Sequence, residues 1–378
     1  MSPSPVSFAH LIRLTDDTGL LEHGLGKIPR RREGYSTDDN ARAIWTCLVW
    51  LDHVAAEERA TLLRLVDTYL SFLLWVQHED GGFQNDVAYD RTFLRERRSD
   101  DCFGRAVWAL AVAWTKLESP DRRIAVREML ERAYRQVPRL SSARGFAYTL
   151  AALCLLWQHA KTDASDEVTA AFHAWVERNV PRWVTELERN LLSMYSRNAQ
   201  THWRWFEPVL TYGNGVLPWS LLVAYTVTER QDTLSAALHT LDFLIRQMTG
   251  QGGIIRPVGN QGWCTPERRA EWDQQPIDVM KLALAAAMAY RVTGDPAYRD
   301  VVRRCRAWFY GENDLGVPLA DAEDGSCCDG LTPVGVNVNR GAESTLSYLL
   351  TEAMFRNVEV DAHEYHRRER VLHSFACI

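Results

Sequence analysis

Residues 35–51 read YSTDDNARAIWTCLVWL and residues 98–114 read RSDDCFGRAVWALAVAW. In each, a serine and two consecutive aspartates hand over to a run of alanine, leucine, valine and tryptophan that is apolar nearly all the way round a helix. A helix that is apolar on every side has to be buried. The same handover, from a polar or glycine-bearing loop into an apolar helix, recurs at 141–157 (SSARGFAYTLAALCLLW), 210–227 (LTYGNGVLPWSLLVAYTV), 272–290 (WDQQPIDVMKLALAAAMAY) and 339–355 (NRGAESTLSYLLTEAMF). With Asp39, Asp101, Gly145, Asn214, Gln275 and Ala342 as equivalent points, the steps are 62, 44, 69, 61 and 67 residues, so six units of similar size nearly fill the chain.

Between these helices lie segments of helical period with many more charges: 56–77, 121–137, 166–190, 232–248 and 297–310. They read as amphipathic partners with one solvated face. Each unit is then a hairpin of one inner and one outer helix. Six hairpins closing into a ring predict an all-α fold, the (α/α)6 barrel, as a single domain over 1–378 with a lead-in segment at 1–34. The loops entering the inner helices carry glycine, asparagine, aspartate and aromatics, whereas those entering the outer helices are short and plain, so functional residues belong at the first end. On that side 78–90, 250–263 and 312–337 contain Gly-Gly and Asp-Gly steps, which predict short β-hairpins around the cavity mouth.

Composition narrows the function. The 378 residues carry 43 Lys+Arg against 49 Asp+Glu, a formal charge of −6, and the basic runs Arg30-Arg31-Arg32 and Arg95, Arg97, Arg98 sit among acids. That disfavours a nucleic-acid partner, which needs a concentrated basic face. No signal-peptide pattern and no apolar run long enough for a membrane span is found, which predicts a cytoplasmic protein. Eight cysteines are too dilute for a disulfide framework. Cys47, Cys102, Cys154 and Cys305 lie in apolar helical patterns and read as buried reduced thiols. Cys264, Cys327 and Cys328 lie in glycine-rich loops, but without CxxC or HxxxH spacing, so neither a metal nor a cofactor is expected.

The chemistry-bearing residues gather at the entries to the inner helices. Ser36 and Asp39 have capping-box spacing, and Asp38 with Arg42 is an i,i+4 pair. Because consecutive helical positions diverge by about 100°, one of the two aspartates can cap or pair while the other points into the cavity. The arrangement recurs at Ser99, Asp100, Asp101 and Arg105. Two acidic pairs on two hairpins place four carboxylates around one mouth, and glycosyl transfer requires one carboxyl to protonate the leaving oxygen while another activates water or attacks. The segment THWRWFEPVLTYGNG (201–215) interleaves His202, Trp203, Arg204, Trp205, Phe206, Tyr212 and Asn214 around Glu207. It reads either as core or as a carbohydrate subsite that stacks C–H faces and bonds hydroxyls. Trp263, Gln275 and Asp278 precede or open the fifth inner helix. Asn339, Arg340 and Glu343 open the sixth, where a catalytic base and a salt-bridge partner for Arg340 are equal readings of Glu343.

These six motifs resemble the six-hairpin glycosidase superfamily, which includes endo- and exo-acting hydrolases, unsaturated glucuronyl hydrolases and some disaccharide phosphorylases. Asp38-Asp39 and Asp100-Asp101 are similar to the adjacent aspartates at the catalytic centre of some mannan-cleaving members. The phrases TDDNAR, DDCFGR, WFEP, YGNG, DQQPID and NRGAES also resemble an unassigned bacterial domain that accompanies glycosyltransferase-like modules. That likeness implies a glycan precursor as substrate and a glycosyltransferase-type module as partner. The combined expectation is a metal-independent glycoside hydrolase acting on an oligosaccharide or glycoconjugate. Asp39 and Asp101 are the first choices for the carboxylate pair, with Glu207 next as acid and Glu343 next as base. Trp203, Trp205, Tyr212 and Trp263 would stack the sugar. Asp38, Asn40, Arg42, Asp100, Arg105, Arg144, His202, Asn214, Gln275, Asp278, Asn339 and Arg340 would bind hydroxyls or a charged group, which leaves an anionic sugar or phosphate open. The alternatives are a disaccharide phosphorylase, a sugar epimerase or isomerase using two facing histidines drawn from His10, His23, His78 and His202, and a non-catalytic glycan-binding accessory domain.

Overall fold

The computed structural model describes residues 6–95, 98–164 and 166–365, so Arg97 of the second basic run lies outside the described residues. The six apolar runs form helices α2 (Thr37–Trp50), α4 (Asp100–Lys116), α6 (Ala143–His159), α9 (Val216–Thr228), α11 (Pro276–Thr293) and α13 (Ala342–Tyr365). Each packs on the next in that order, and α13 returns to α2, closing the ring. The burial is as complete as an inner position demands: every residue from Pro276 to Tyr290 of α11, Asp101 to Trp114 of α4 and Ala143 to Leu156 of α6 is buried. This is the (α/α)6 barrel.

The outer layer consists of α1 (Ala9–Leu14), α3 (Ala56–Val76), α5 (Pro120–Ala133), α7 (Glu167–Asn179), α8 (Pro181–Asn198), α10 (Gln231–Gln247) and α12 (Pro296–Phe309). These bury one stripe only. On α12 it is Tyr298, Val301, Val302, Cys305, Trp308 and Phe309, a helical 3–4 spacing. Two expected helices are shorter than their periodicity suggests. The 166–190 segment breaks into α7 and α8 at Val180, because Pro181 cannot donate a backbone hydrogen bond and opens a new helix at its first position. The 121–137 segment leaves α-geometry after Ala133 and continues as a 3-10 turn over Tyr134–Arg139, which contains Pro138.

The lead-in segment is built into the barrel. Helix α1 packs on α13 with Leu11 and Leu14 fully buried, in the outer position that follows the last inner helix. Behind it, strands β1 (Gly24–Leu25) and β2 (Ile28–Pro29) pair antiparallel, and β3 (Tyr35–Ser36) pairs with β4 (Asp86–Val87) from the loop after α3. The expected hairpins of the last long loop form as β5 (Ala320–Asp321) with β6 (Ser326–Cys327), and β7 (Gly330–Thr332) with β8 (Gly335–Asn337). No helix among the described residues is long and apolar enough to cross a membrane.

Glycine sets how closely the inner helices approach. A Cβ at Gly215 would stand 2.0 Å from the Lys281 carbonyl oxygen, so only glycine lets the start of α9 lie against α11. A Cβ at Gly104 would stand 2.8 Å from that of Tyr148, and one at Gly145 would stand 2.6 Å from that of Asp100, which ties α4 to α6 in the same way.

Candidate active site

Three inner helices begin with the same cap. The Oγ atoms of Ser36, Ser99 and Ser142 accept the backbone N–H of Asp39 (3.1 Å), Cys102 (3.2 Å) and Gly145 (3.0 Å), satisfying donors that a helix N-terminus leaves free. First-turn side chains then meet around the ring. Ser36 Oγ also donates to Asp39 Oδ2 at 2.9 Å. Arg42 bonds Asp39 Oδ1 at 2.5 Å with one terminal nitrogen and Glu343 Oε2 at 3.1 Å with the other. Asp38 reaches across to Arg105 on α4. The expected Asp38–Arg42 pair is therefore not formed. Arg105 stays only loosely near its own i−4 neighbour Asp101, at 3.9 Å. Buried between helices, each arginine takes the best partners within reach, Arg105 across to α2 and Arg42 both on its own helix and on α13.

The other expected carboxylates are held as well. Asp101 accepts hydrogen bonds from the Tyr212 hydroxyl and from Ser142 Oγ, the latter at 3.3 Å. Glu207 pairs with Arg144 at 3.0 Å. Arg144 also donates to the Tyr212 carbonyl at 2.8 Å and Thr211 Oγ1 at 2.7 Å, with its guanidinium 4.8 Å from the Tyr212 ring centroid, so it clamps the loop before α9. The side chain of Glu343, 46% exposed, remains open to solvent beside its Arg42 bond.

Several residues expected to bind substrate are engaged by the fold. Trp203 and Trp205 are 4% and 0% exposed and pack on Phe243 of α10, with ring centroids 5.2 and 6.2 Å away, which corrects the expectation that they stack a sugar. Asn40 is buried, donating to Ser36 O at 2.8 Å and accepting Leu20 N at 2.9 Å, so it fastens the lead-in to α2. Asp100 accepts the backbone N–H groups of Ser141 and Ser142 at 2.7 and 2.8 Å, ahead of α6. Asn214 closes a turn on Thr211. Arg340 donates to Ser326 Oγ at 2.7 Å and is not the partner of Glu343. Asn339 Oδ1 accepts Gly26 N at 3.4 Å. Gln275 caps α11 without a side-chain bond, and His202 is exposed. Tyr212 and Trp263 do come together, with centroids 6.4 Å apart at the loop over α9.

Burial shifts the acids of this mouth. Asp39 is pushed up to about 6 by burial, with Arg42 opposing and Glu343 and Asp38 reinforcing. Asp278 is pushed up to about 7 by burial even though its Oδ1 accepts the Gly213 N–H at 2.7 Å. The same upward shift is found at a residue that sequence reasoning missed. Glu22 is pushed up to about 8, by burial first and then by the neighbouring Asp39, Asp86, Glu343 and Asp38 carboxylates. Its carbonyl accepts the Ala342 N–H at 2.9 Å, which pins it beside the residue preceding Glu343. Glu22 lies in the lead-in, outside any repeat, and no sequence signal marks it.

One turn below the acids lies a layer of cations, and below that a layer of indoles. Asp38, Arg42 and Trp45 follow i, i+4, i+7 on α2, as do Asp101, Arg105 and Trp108 on α4, which stacks the three layers by helical period. Trp108 packs edge-on against both Trp45 and Trp219, at 5.8 and 4.7 Å. Lys281 of α11 completes the cation layer, buried with its ammonium 4.9 Å from the Trp45 ring and 5.1 Å from the Tyr148 ring and hydrogen-bonded to Tyr148. Sequence reasoning missed it too, although a lone lysine in an otherwise apolar helix core was a usable signal. Among the described residues no three His, Cys, Asp or Glu side chains gather as a metal ion would require. Cys264, Cys327 and Cys328 are buried free thiols.

With this layered mouth the chain takes its place among (α/α)6-barrel structures of the six-hairpin type. No protein-family model matches the chain, and the search of curated proteins finds no match either. Among solved structures, it is similar to a cellobiose 2-epimerase from Bacillus thermoamylovorans (TM-score 0.68, 11% identity, 94% of this chain and 96% of that one) and to a D-mannose isomerase (0.65, 12%, 93% and 94%). It is also similar to an α-1,6-mannanase of a Salegentibacter species in complex with α-1,6-mannotetrose (0.60, 9%, 93% and 96%), an inactive variant in which two consecutive aspartates are alanine. At these identities the likeness is one of fold.

Proposed function

We propose that this chain is a carbohydrate-active enzyme that hydrolyses a glycosidic bond at the mouth formed by the N-termini of its inner helices, with Glu22 as general acid and Glu343 as the facing carboxylate. The observation that carries the reading is that two carboxyl groups in different surroundings lie on adjoining segments, the Glu22 carbonyl accepting the N–H of the residue before Glu343. Glu22 is half-buried among other carboxylates, with His23 3.5 Å from its Oε1, and is pushed up to about 8. Glu343 is solvent-open and anchored on Arg42. A carboxyl whose surroundings hold its proton is suited to the acid role in glycosyl transfer. Asp39 and Asp101, tied to Arg42 and Tyr212, act as positioning residues for Arg42 and for the loop before α9 that carries Tyr212. The fold shared with enzymes acting on cellobiose, mannose and a mannan oligosaccharide supports a sugar substrate. The association with a glycosyltransferase module has no support in the structure.

A second reading, sugar epimerisation or isomerisation, is favoured by the buried Tyr148–Lys281 pair, which could exchange a proton with a sugar carbon next to a carbonyl. Of the four histidines named for that chemistry, His10 is buried against Arg340 O at 3.0 Å and Arg13 at 3.0 Å, His23 stands 3.5 Å from Glu22, His78 packs edge-on to Phe93 and His202 is exposed. The test is to incubate the protein with manno-, gluco- and uronate-containing oligosaccharides and follow products by NMR. Hydrolysis gives shorter chains with new reducing ends. Epimerisation or isomerisation gives a changed reducing-end sugar at unchanged chain length and would displace the hydrolase reading.

A further inference from the structure

The cation layer encloses a small cavity that the proposed acid–base chemistry does not use. Its walls are Arg42, Trp45, Arg105, Trp108, Tyr148 and Lys281, with Ala41, and it has room for about one water-sized group. The three cations are buried, at 3%, 8% and 1% exposure. The terminal nitrogens of Arg42 and Arg105 are occupied from above by Asp39, Glu343, Asp38 and Asp101. Their Nε atoms are buried without a hydrogen-bond partner. Lys281 has no carboxylate within ion-pair distance among the described residues, and the polar group beside it is the Tyr148 hydroxyl. A buried ammonium lacking a counter-ion is costly and is a place where a ligand anion is gained.

We propose that this cavity is a subsite for a carboxylate carried by the substrate, so that the sugar bound at the mouth is a uronic acid. Rested on the carbohydrate reading above, this names the substrate class. The potential inside the cavity is positive at both groups that sense it. Burial alone would raise the Tyr148 hydroxyl, yet Lys281, Arg105 and Arg42 take it below its ordinary value. Lys281 is brought down to about 8 by burial, with Tyr148 opposing and Arg42 and Arg105 adding to the effect. The narrow space between Trp45, Trp108 and Tyr148 admits one oxygen of a planar carboxylate where a water-sized group now fits. A tetrahedral phosphate needs more room on every side. Arg42 then links the two sites: its terminal nitrogens hold Asp39 and Glu343, and its side chain lines the cavity.

Calorimetric titration of the full chain with glucuronate, glucose, glucose 6-phosphate and formate tests this. The expected result is that glucuronate binds at least tenfold more tightly than glucose, that formate competes with it, and that the preference collapses to within about twofold in Lys281→Met. Lys281→Arg, which keeps the charge, should retain most of it. Equal affinity for glucuronate and glucose in the wild-type protein overturns the proposal without relying on any variant, as does a preference for glucose 6-phosphate over glucuronate. The two readings fail separately. Cleavage of neutral oligosaccharides with no carboxylate preference removes the subsite and leaves the hydrolase. A Lys281-dependent preference with no cleavage of any oligosaccharide removes the hydrolase and leaves the subsite.

Discussion

Glu22 and Glu343 are both glutamates at one mouth, yet what surrounds them predicts different behaviour. If Glu22 donates the proton, activity falls as pH rises through about 8, because that is where burial and neighbouring carboxylates let the proton go. A pH–rate profile of Glu22→Gln should lose this alkaline limb along with 10²- to 10⁴-fold of the rate. Asp278 supplies a stability prediction with a definite sign. Its folded-state value, about 7, is above the unfolded value of 3.8, so the folded state binds the extra proton and its stabilising contribution is complete below about pH 4 and lost as pH rises through about 7. Asp278→Asn keeps an oxygen for the Gly213 N–H and removes the buried charge. Its melting temperature relative to wild type should therefore rise between pH 4 and pH 8. The sequence displayed the acids of Asp38-Asp39 and Asp100-Asp101 but not their partners. The i,i+4 rule did not show that Arg42 would bridge Asp39, three residues before it, to Glu343 on α13, or that Arg105 would pair with Asp38 on α2. Trp203 and Trp205 show the same limit: aromatic density reads alike whether the rings face a ligand or, as here, Phe243.

At the scale of elements, the inner helices were legible because all-round apolarity admits a buried position only, and the outer helices because their stripe has a 3–4 spacing. What could not be read was the place of α1, a six-residue helix too short to show a period, which fills the outer position beside α13. Leu11→Ala in that helix removes a fully buried side chain and should cost about 2–5 kcal/mol in chemical denaturation, the usual range for a core truncation. A value near zero would mean that α1 does not close the ring. The glycine contacts make a second element-level prediction. Gly215→Ala sets a methyl against the Lys281 carbonyl, a backbone atom that cannot swing aside. It should destabilise by about 1–3 kcal/mol and, because α11 carries Lys281 and Asp278, should disturb the mouth as well.

Across the whole molecule, a ring of inner helices turns a repeated local sequence into a layered site. On α2 and α4 the N-terminus brings a serine cap and an acid to the mouth, the next turn an arginine and the turn below an indole, and α11 adds Lys281 to the cation layer, so acids, cations and aromatics stack along the barrel axis. The repeat was visible in the sequence, and with it the barrel. The layering was not, since it depends on helices 44 to 69 residues apart in sequence facing one another at the same height. The measurement that bears most directly on this account is release of reducing ends from manno-, gluco- and uronate-containing oligosaccharides at neutral pH by wild type, Glu22→Gln and Glu343→Gln. Chain-shortening cleavage by the wild type, lowered at least a hundredfold in each variant with melting temperature unchanged, is the predicted result. No cleavage of any oligosaccharide by the wild type, or cleavage that both variants retain, would contradict it.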